Sequence, residues 1–283
     1  MTSFTQQILD LHRNNGGVNA YKQLLLESGA PDTAEIVMNA KCGFQCSHCI
    51  YPKEYALNKN PTSEESKKYI DELVRFGFKT FVFGGRGINK TILEAVEYTK
   101  ENHPETKVGF IADGPQMSAT DTLERILSSK ADWIDISVDG YREAHDIQRG
   151  APGSYEQTLE TISNIFDYSK IPKVSVLSVV TEQNLDSMPD MMRDLRDRGV
   201  QNFHMTPIHR PEEATHIRSD LVPDREKFFN LQDRIANTMK EGMSETFCRF
   251  PLFDLKYIGE CIKRNGGLQN CIYDDSEIVF ERD

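Results

Sequence analysis

From Ala34 onward, short apolar runs alternate with longer stretches in which apolar residues recur every three or four positions, the rhythm of repeated βα units. Six runs have the length and the β-branched or aromatic content of strands: AEIVMNA at 34–40, KTFVF at 79–83, KVGFIA at 107–112, WIDISV at 133–138, VSVLSVV at 174–180 and NFHMTPI at 202–208. Between them, segments 63–76, 88–101, 119–129, 154–168 and 187–197 have helical spacing, with Ser63, Ser118 and Ser154 placed as N-caps. Near-continuous apolar strands predict a parallel sheet covered on both faces by these helices. The pattern leaves open whether that sheet curls toward a barrel or stays an open layer.

Residues 1–33 read as a helical arm, TQQILDLHR and AYKQLLLES interrupted by Gly16 and Gly17, and such an arm suits a cap or a homodimer contact. A further helix is expected over 224–242, after which the βα rhythm stops; the tail from Asp274 is polar until the apolar IVF, a candidate final strand. The division expected is an arm at 1–33, a core at 34–215 and a C-terminal region at 216–283. Composition narrows the class. With 33 Lys plus Arg against 44 Asp plus Glu, the net charge is -11, which argues against nucleic acid as a partner. At 38% hydrophobic and 27% charged residues this is a globular composition. The opening MTSFTQQILDLHRNN has no signal-peptide pattern, and no run reaches the roughly 18 apolar residues of a membrane span, so a cytoplasmic chain with no membrane partner is expected.

The six cysteines fall into two groups, Cys42, Cys46 and Cys49, and Cys248, Cys261 and Cys271. In a reducing compartment, clustered thiols are metal ligands or redox groups more often than disulfides. KCGFQCSHCIYP at 41–52 puts three thiols on one loop after the first strand. Three thiolates can hold three irons of a [4Fe-4S] cluster and leave the fourth iron open to a chelating ligand. The alternatives are zinc held by these thiols with His48 or a distant fourth ligand, and a plain reduced loop. Zinc knuckles more often use C-x2-C pairs.

The C-x3-C-x2-C spacing resembles the hallmark of the radical S-adenosylmethionine superfamily, with His48 where an aromatic residue commonly precedes the last cysteine. The resemblance spans roughly residues 34–210 and implies an α/β fold, a partial (βα)6 barrel. It further implies that the amine and carboxylate of S-adenosyl-L-methionine chelate the open iron. One electron then cleaves the sulfonium, and the resulting 5'-deoxyadenosyl radical removes a substrate hydrogen. A flavodoxin or ferredoxin-type electron donor is implied as well. The protein's task in such chemistry is positioning and enclosure.

The same resemblance assigns cofactor-binding candidates. Gly84 and Gly85 match the start of a GGE motif that meets the methionyl amine, although Arg86 stands where the acid is usual, and a simple turn is the alternative. Asp113 ends the third strand in IADG, where relatives carry TNG; helix capping is its other reading. The stretch from SVDG at 137–140 to HDIQRG at 145–150 resembles members that modify peptides or natural products. There Ser137 would meet the ribose or methionyl part and Arg149 the carboxylate, a job that suits its rigid fork of donors, with a surface salt bridge as the alternative. His145 and Asp146 are expected to organise the loop. Met205 and Thr206, at the end of the sixth strand, are candidates for enclosing adenine, Met205 being otherwise a core residue.

CRFPLFDLKYIGEC, at 248–261, resembles the start of a shortened auxiliary-cluster domain, so Cys248, Cys261 and Cys271 are candidate ligands of an auxiliary [4Fe-4S] cluster, with structural zinc or unliganded thiols as alternatives. The expected function is a radical S-adenosylmethionine oxidoreductase acting on a small-molecule natural-product precursor or a peptide. Alternatives are a radical lyase, dehydratase or isomerase, and a zinc-stabilised RNA-binding protein.

Overall fold

The computed structural model describes residues 33–38, 42–50, 61–84, 87–118, 120–167, 173–208, 216–240 and 247–249. The expected arm up to residue 32, Gly85, Arg86, His209, Cys261, Cys271 and the IVF tail lie outside the described residues. Along the chain run β1 (Thr33–Val37), α1 (Ser63–Phe76), β2 (Thr80–Gly84), α2 (Lys90–Asn102), β3 (Lys107–Ala112), α3 (Gly114–Met117), α4 (Thr120–Ser128) and β4 (Trp133–Ser137). They are followed by α5 (Glu143–Arg149), α6 (Ser154–Phe166), β5 (Lys173–Val180), α7 (Met188–Asp197), β6 (Asn202–Pro207), α8 (Arg225–Lys240) and β7 (Phe247–Arg249). Each of the six expected runs forms a strand, and each helical segment expected between residues 63 and 242 forms a helix over its described residues. Three elements carried no periodic signal because they are too short to show one: α3, α5 and β7.

The N-caps differ from expectation by one position. Thr62, not Ser63, caps α1: its Oγ1 accepts from the Glu65 amide at 3.2 Å while the Glu65 carboxylate accepts from the Thr62 amide at 2.8 Å, a reciprocal capping box. Ser154 is likewise the first helical residue of α6, behind Gly153. Ser118 closes α3 instead, its hydroxyl donating to the Pro115 carbonyl at 2.7 Å.

By internal contacts the chain divides into two compact units, residues 1–42, 56–111 and 124–133, and residues 43–55, 112–123 and 134–283. In the first, β1, β2 and β3 pair in parallel and in chain order, with Ile36 opposite Phe83 and Phe81 opposite Val108. Phe81, Phe83 and Phe110 are fully buried together with Val96 of α2. Asp71 joins α1 to α2, accepting from the Tyr98 hydroxyl at 2.9 Å and lying 2.8 Å from His103 Nε2.

In the second unit β5 and β6 pair in parallel with Ser178 opposite Met205, and β6 pairs in parallel with β7, Cys248 opposite Phe203. The series of strands therefore continues past the helix after which the apolar rhythm stops. Met188, Met191, Met192 and Leu195 of α7 are buried in this unit's core. Successive parallel strands joined by helices bring their carboxyl ends to one edge, which is where loops carrying chemistry gather. The ends of β4, β5 and β6 form that edge within this unit.

Candidate active site

The cysteine loop from Gly43 onward belongs to the same unit as α5, and the two are joined backbone to backbone. The Gln45 amide donates to the Arg149 carbonyl at 3.2 Å and the Ser47 amide to the Gln148 carbonyl at 2.9 Å. The last carbonyls of a helix have no intrahelical partner, so the loop satisfies groups that α5 leaves open. Gly150 makes the approach possible: it ends α5 at φ 61°, and a Cβ there would lie 2.8 Å from the Gln45 carbonyl oxygen. Within the loop the Cys49 amide donates to the Cys46 carbonyl at 3.3 Å, closing a turn between these two cysteines. The Cys42, Cys46 and Cys49 side chains are all half-buried.

Behind the loop lies a buried network centred on Asp139, just past β4. Its Oδ1 accepts from the Val179 amide at 2.7 Å, and its Oδ2 lies 3.2 Å from Arg149 Nη1 and 3.8 Å from His48 Nε2. Burial alone would raise the Asp139 carboxyl; His48, Arg149 and His145, with the Val179 amide, together hold it below the usual range. Burial lowers both imidazoles, His145 down to about 4. Arg149, which carries its charge at all ordinary pH, is the fixed cation beside Asp139. Its guanidinium lies 5.0 Å from the centre of the Phe44 ring, and the residue is only 9% exposed, so its ion pair with Asp139 is a buried one and not a surface salt bridge.

His145 and Asp146 hold backbone. His145 Nδ1 accepts from the Asp139 amide at 2.9 Å, which fixes the tautomer with the proton on Nε2. Asp146 accepts from the Tyr155 amide at 2.8 Å, the Ser154 hydroxyl at 3.0 Å and the Gly153 amide, so it caps α6 from outside that helix. Gln148 adds a second tie: its amide donates to the Val179 carbonyl at 2.7 Å and its Oε1 accepts from Thr181 at 2.6 Å. Asn184 donates to the Asp139 carbonyl at 3.0 Å and the Val179 carbonyl at 2.8 Å.

Each of the other candidate residues has its own setting within its unit. Asp113 caps α3, accepting from the Gln116 amide at 3.0 Å, and its carboxyl is pushed up to about 6 by burial, against the Gln116 hydrogen bond and the charge of Arg149. Ser137 is the half-buried last residue of β4. Met205 is fully buried and Thr206 beside it is half-buried. Gly84, in the other unit, ends β2 and accepts at its carbonyl from the Met38 amide at 3.0 Å; a Cβ there would meet Ile111 at an ordinary 3.6 Å. Cys248 lies in β7. Thr181, Asn184 and His216 were not legible as site residues, since each meets a partner distant in sequence, the Gln148 side chain for Thr181 and backbone carbonyls for the other two, and has no local motif.

Three soft thiol donors within an eight-residue span suit three irons of a [4Fe-4S] cluster. Among the described residues no three His, Cys, Asp or Glu side chains stand grouped at metal-binding distance, these three thiols included. His48 Nε2 faces Asp139.

The Radical SAM superfamily model matches residues 36–195, and the chain belongs to that superfamily of enzymes. It is 23% identical over 197 residues to the pre-heme d1 synthase of Dinoroseobacter shibae, covering 66% of this chain and 48% of that protein. It is 26% identical over 237 residues to the antilisterial bacteriocin subtilosin biosynthesis protein AlbA of Bacillus subtilis, covering 80% of this chain and 52% of that protein. Among solved structures, SuiB of Streptococcus suis bound to its precursor peptide SuiA superposes with a TM-score of 0.70 at 13% identity, over 84% of this chain and 54% of that one. The fold is thus the α/β partial barrel of radical S-adenosylmethionine enzymes, and the family implies a [4Fe-4S] cluster and S-adenosylmethionine. The chain spans about half the length of the curated relatives it matches. No helix among the described residues is long and apolar enough to cross a membrane.

Proposed function

We propose that this chain is a radical S-adenosylmethionine oxidoreductase that removes a hydrogen atom from a peptide residue or a small natural-product precursor. The observation that carries the reading is the docking of the loop that bears Cys46 and Cys49 on the last turn of α5, beside the buried Asp139–Arg149 pair. Cys42, Cys46 and Cys49 would hold the cluster. When bound, the cluster and S-adenosylmethionine supply a one-electron cleavage that delivers a hydrogen-abstracting radical.

The chain's own groups bind and orient. Arg149 keeps its charge without titrating, and Asp139 fixes the direction of its donor fork, which suits a carboxylate guest. Ser137 and Thr206, half-buried at strand ends, offer hydroxyls to a ribose. Gly84 and Gly85 offer backbone to the methionyl amine, Asp113 shapes the turn after β3, and Met205 gives apolar backing. Peptide substrates are supported by the similarity to AlbA and to peptide-bound SuiB. The similarity to a pre-heme d1 synthase keeps a tetrapyrrole as the second substrate class. Cys248, Cys261 and Cys271 are proposed as an auxiliary-cluster site, the expected arm up to residue 32 as a self-association element, and a flavodoxin or ferredoxin as electron donor.

Anaerobic reconstitution of wild-type chain and the variants Cys42→Ala, Cys46→Ala and Cys49→Ala, followed by reductant and S-adenosylmethionine, tests the assignment. Wild type should form 5'-deoxyadenosine and each variant none. Undiminished cleavage by any of the variants would remove that cysteine from the site.

A further inference from the structure

We propose that His216 is a positioning residue for the cluster loop, tying the segment behind β6 to the backbone of Cys49. The inference rests on the reading of Cys49 as an iron ligand. His216 Nε2 lies 2.8 Å from the Cys49 carbonyl oxygen, across 167 positions of chain. A carbonyl can only accept, so Nε2 carries the hydrogen and the ring donates.

The segment that presents His216 is itself anchored. Ile217, the next residue, has no exposed surface and packs with Ile208 and Leu221 against Val179. The Leu221 carbonyl accepts from the Glu182 amide at 2.9 Å, binding the segment to the turn after β5. That turn follows the strand whose Val179 amide holds Asp139. His216 is thus exposed at its ring but fixed at its base.

The loop is held from two directions. Its first half, Gln45 and Ser47, hangs on the carbonyls of α5, and its last cysteine is met by His216. The Cys46–Cys49 turn lies between these attachments. A partner one shell out from a metal ligand sets that ligand's direction, and loss of such partners typically lowers metal affinity about 10- to 100-fold. His216 adds little to the core, so its substitution separates positioning from folding.

Wild type, His216→Ala and His216→Gln are reconstituted anaerobically. The rate of iron release to a ferrous chelator and the electron paramagnetic resonance spectrum of the dithionite-reduced cluster are then measured, with the melting temperature of the cluster-free chains. His216→Ala should release iron about tenfold faster, with altered g-values and unchanged melting. His216→Gln, whose side-chain amide can donate to the same carbonyl, should restore both. Equal release and equal spectra in wild type and His216→Ala overturn the proposal, as does a matching fall in melting temperature, which would make the role one of fold stability. A wild-type chain that takes up no iron overturns the cluster assignment itself, and the proposal with it, before any variant is compared.

Discussion

A carboxylate with almost no solvent survives at position 139 because the Val179 amide and the Arg149 guanidinium donate to its two oxygens, with His48 flanking it at 3.8 Å. A buried ion pair of this kind is a weak source of net stability but fixes geometry, since removing either partner strands the other. Asp113 is the opposite case. It caps only a four-residue helix, and burial raises its carboxyl to about 6 from an ordinary 3.8. A carboxyl whose folded value is raised favours the folded state below its unfolded value, and that contribution is lost as pH climbs through the folded value, here between about 4 and 6. Asp113→Asn keeps a capping oxygen and has no charge to bury. Its stability relative to wild type should therefore grow by roughly 2 kcal/mol between about pH 4.5 and 7, measured by urea unfolding of the cluster-free chain. An equal difference at both pH values would contradict the burial account.

At the scale of elements, α5 is a seven-residue helix too short for periodicity to reveal, yet the site is organised around it. Its carbonyls dock the cysteine loop, Arg149 closes the buried pair, and Asp146 caps α6 in place of any side chain on α6 itself. Asp146→Ala should cost about 2 kcal/mol, the upper end for a lost cap, because three donors lose one acceptor. Chemical denaturation of the cluster-free chain reads this directly, and a loss below about 0.5 kcal/mol would show that solvent replaces the cap. The long elements were legible because alternation and 3.6-residue spacing act over many positions; β3 and α1 fall where the pattern puts them. The caps slipped by one residue because Ser63 and Ser154 are themselves favoured cap residues, standing one place inside helices that start after Thr62 and Gly153. β7 escaped because three residues, Phe247–Arg249, carry no alternation.

For the molecule as a whole, the cysteine spacing identified the chemistry while the strand rhythm identified the fold, and the two agree because the loop follows the first strand. The contacts that hold the loop were not legible. Gln148 and His216 act through backbone carbonyls and amides brought together only by folding, over separations of 101 to 167 residues. On the proposed function, three thiolates on this loop leave one iron open to S-adenosylmethionine. The direct test is electron paramagnetic resonance of the reduced, reconstituted chain before and after S-adenosylmethionine is added, alongside iron and zinc analysis. A cluster of roughly four irons should form on these thiolates, with g-values that change on addition of the cofactor. A chain that loads zinc alone, or whose cluster spectrum is unmoved by S-adenosylmethionine, would contradict it.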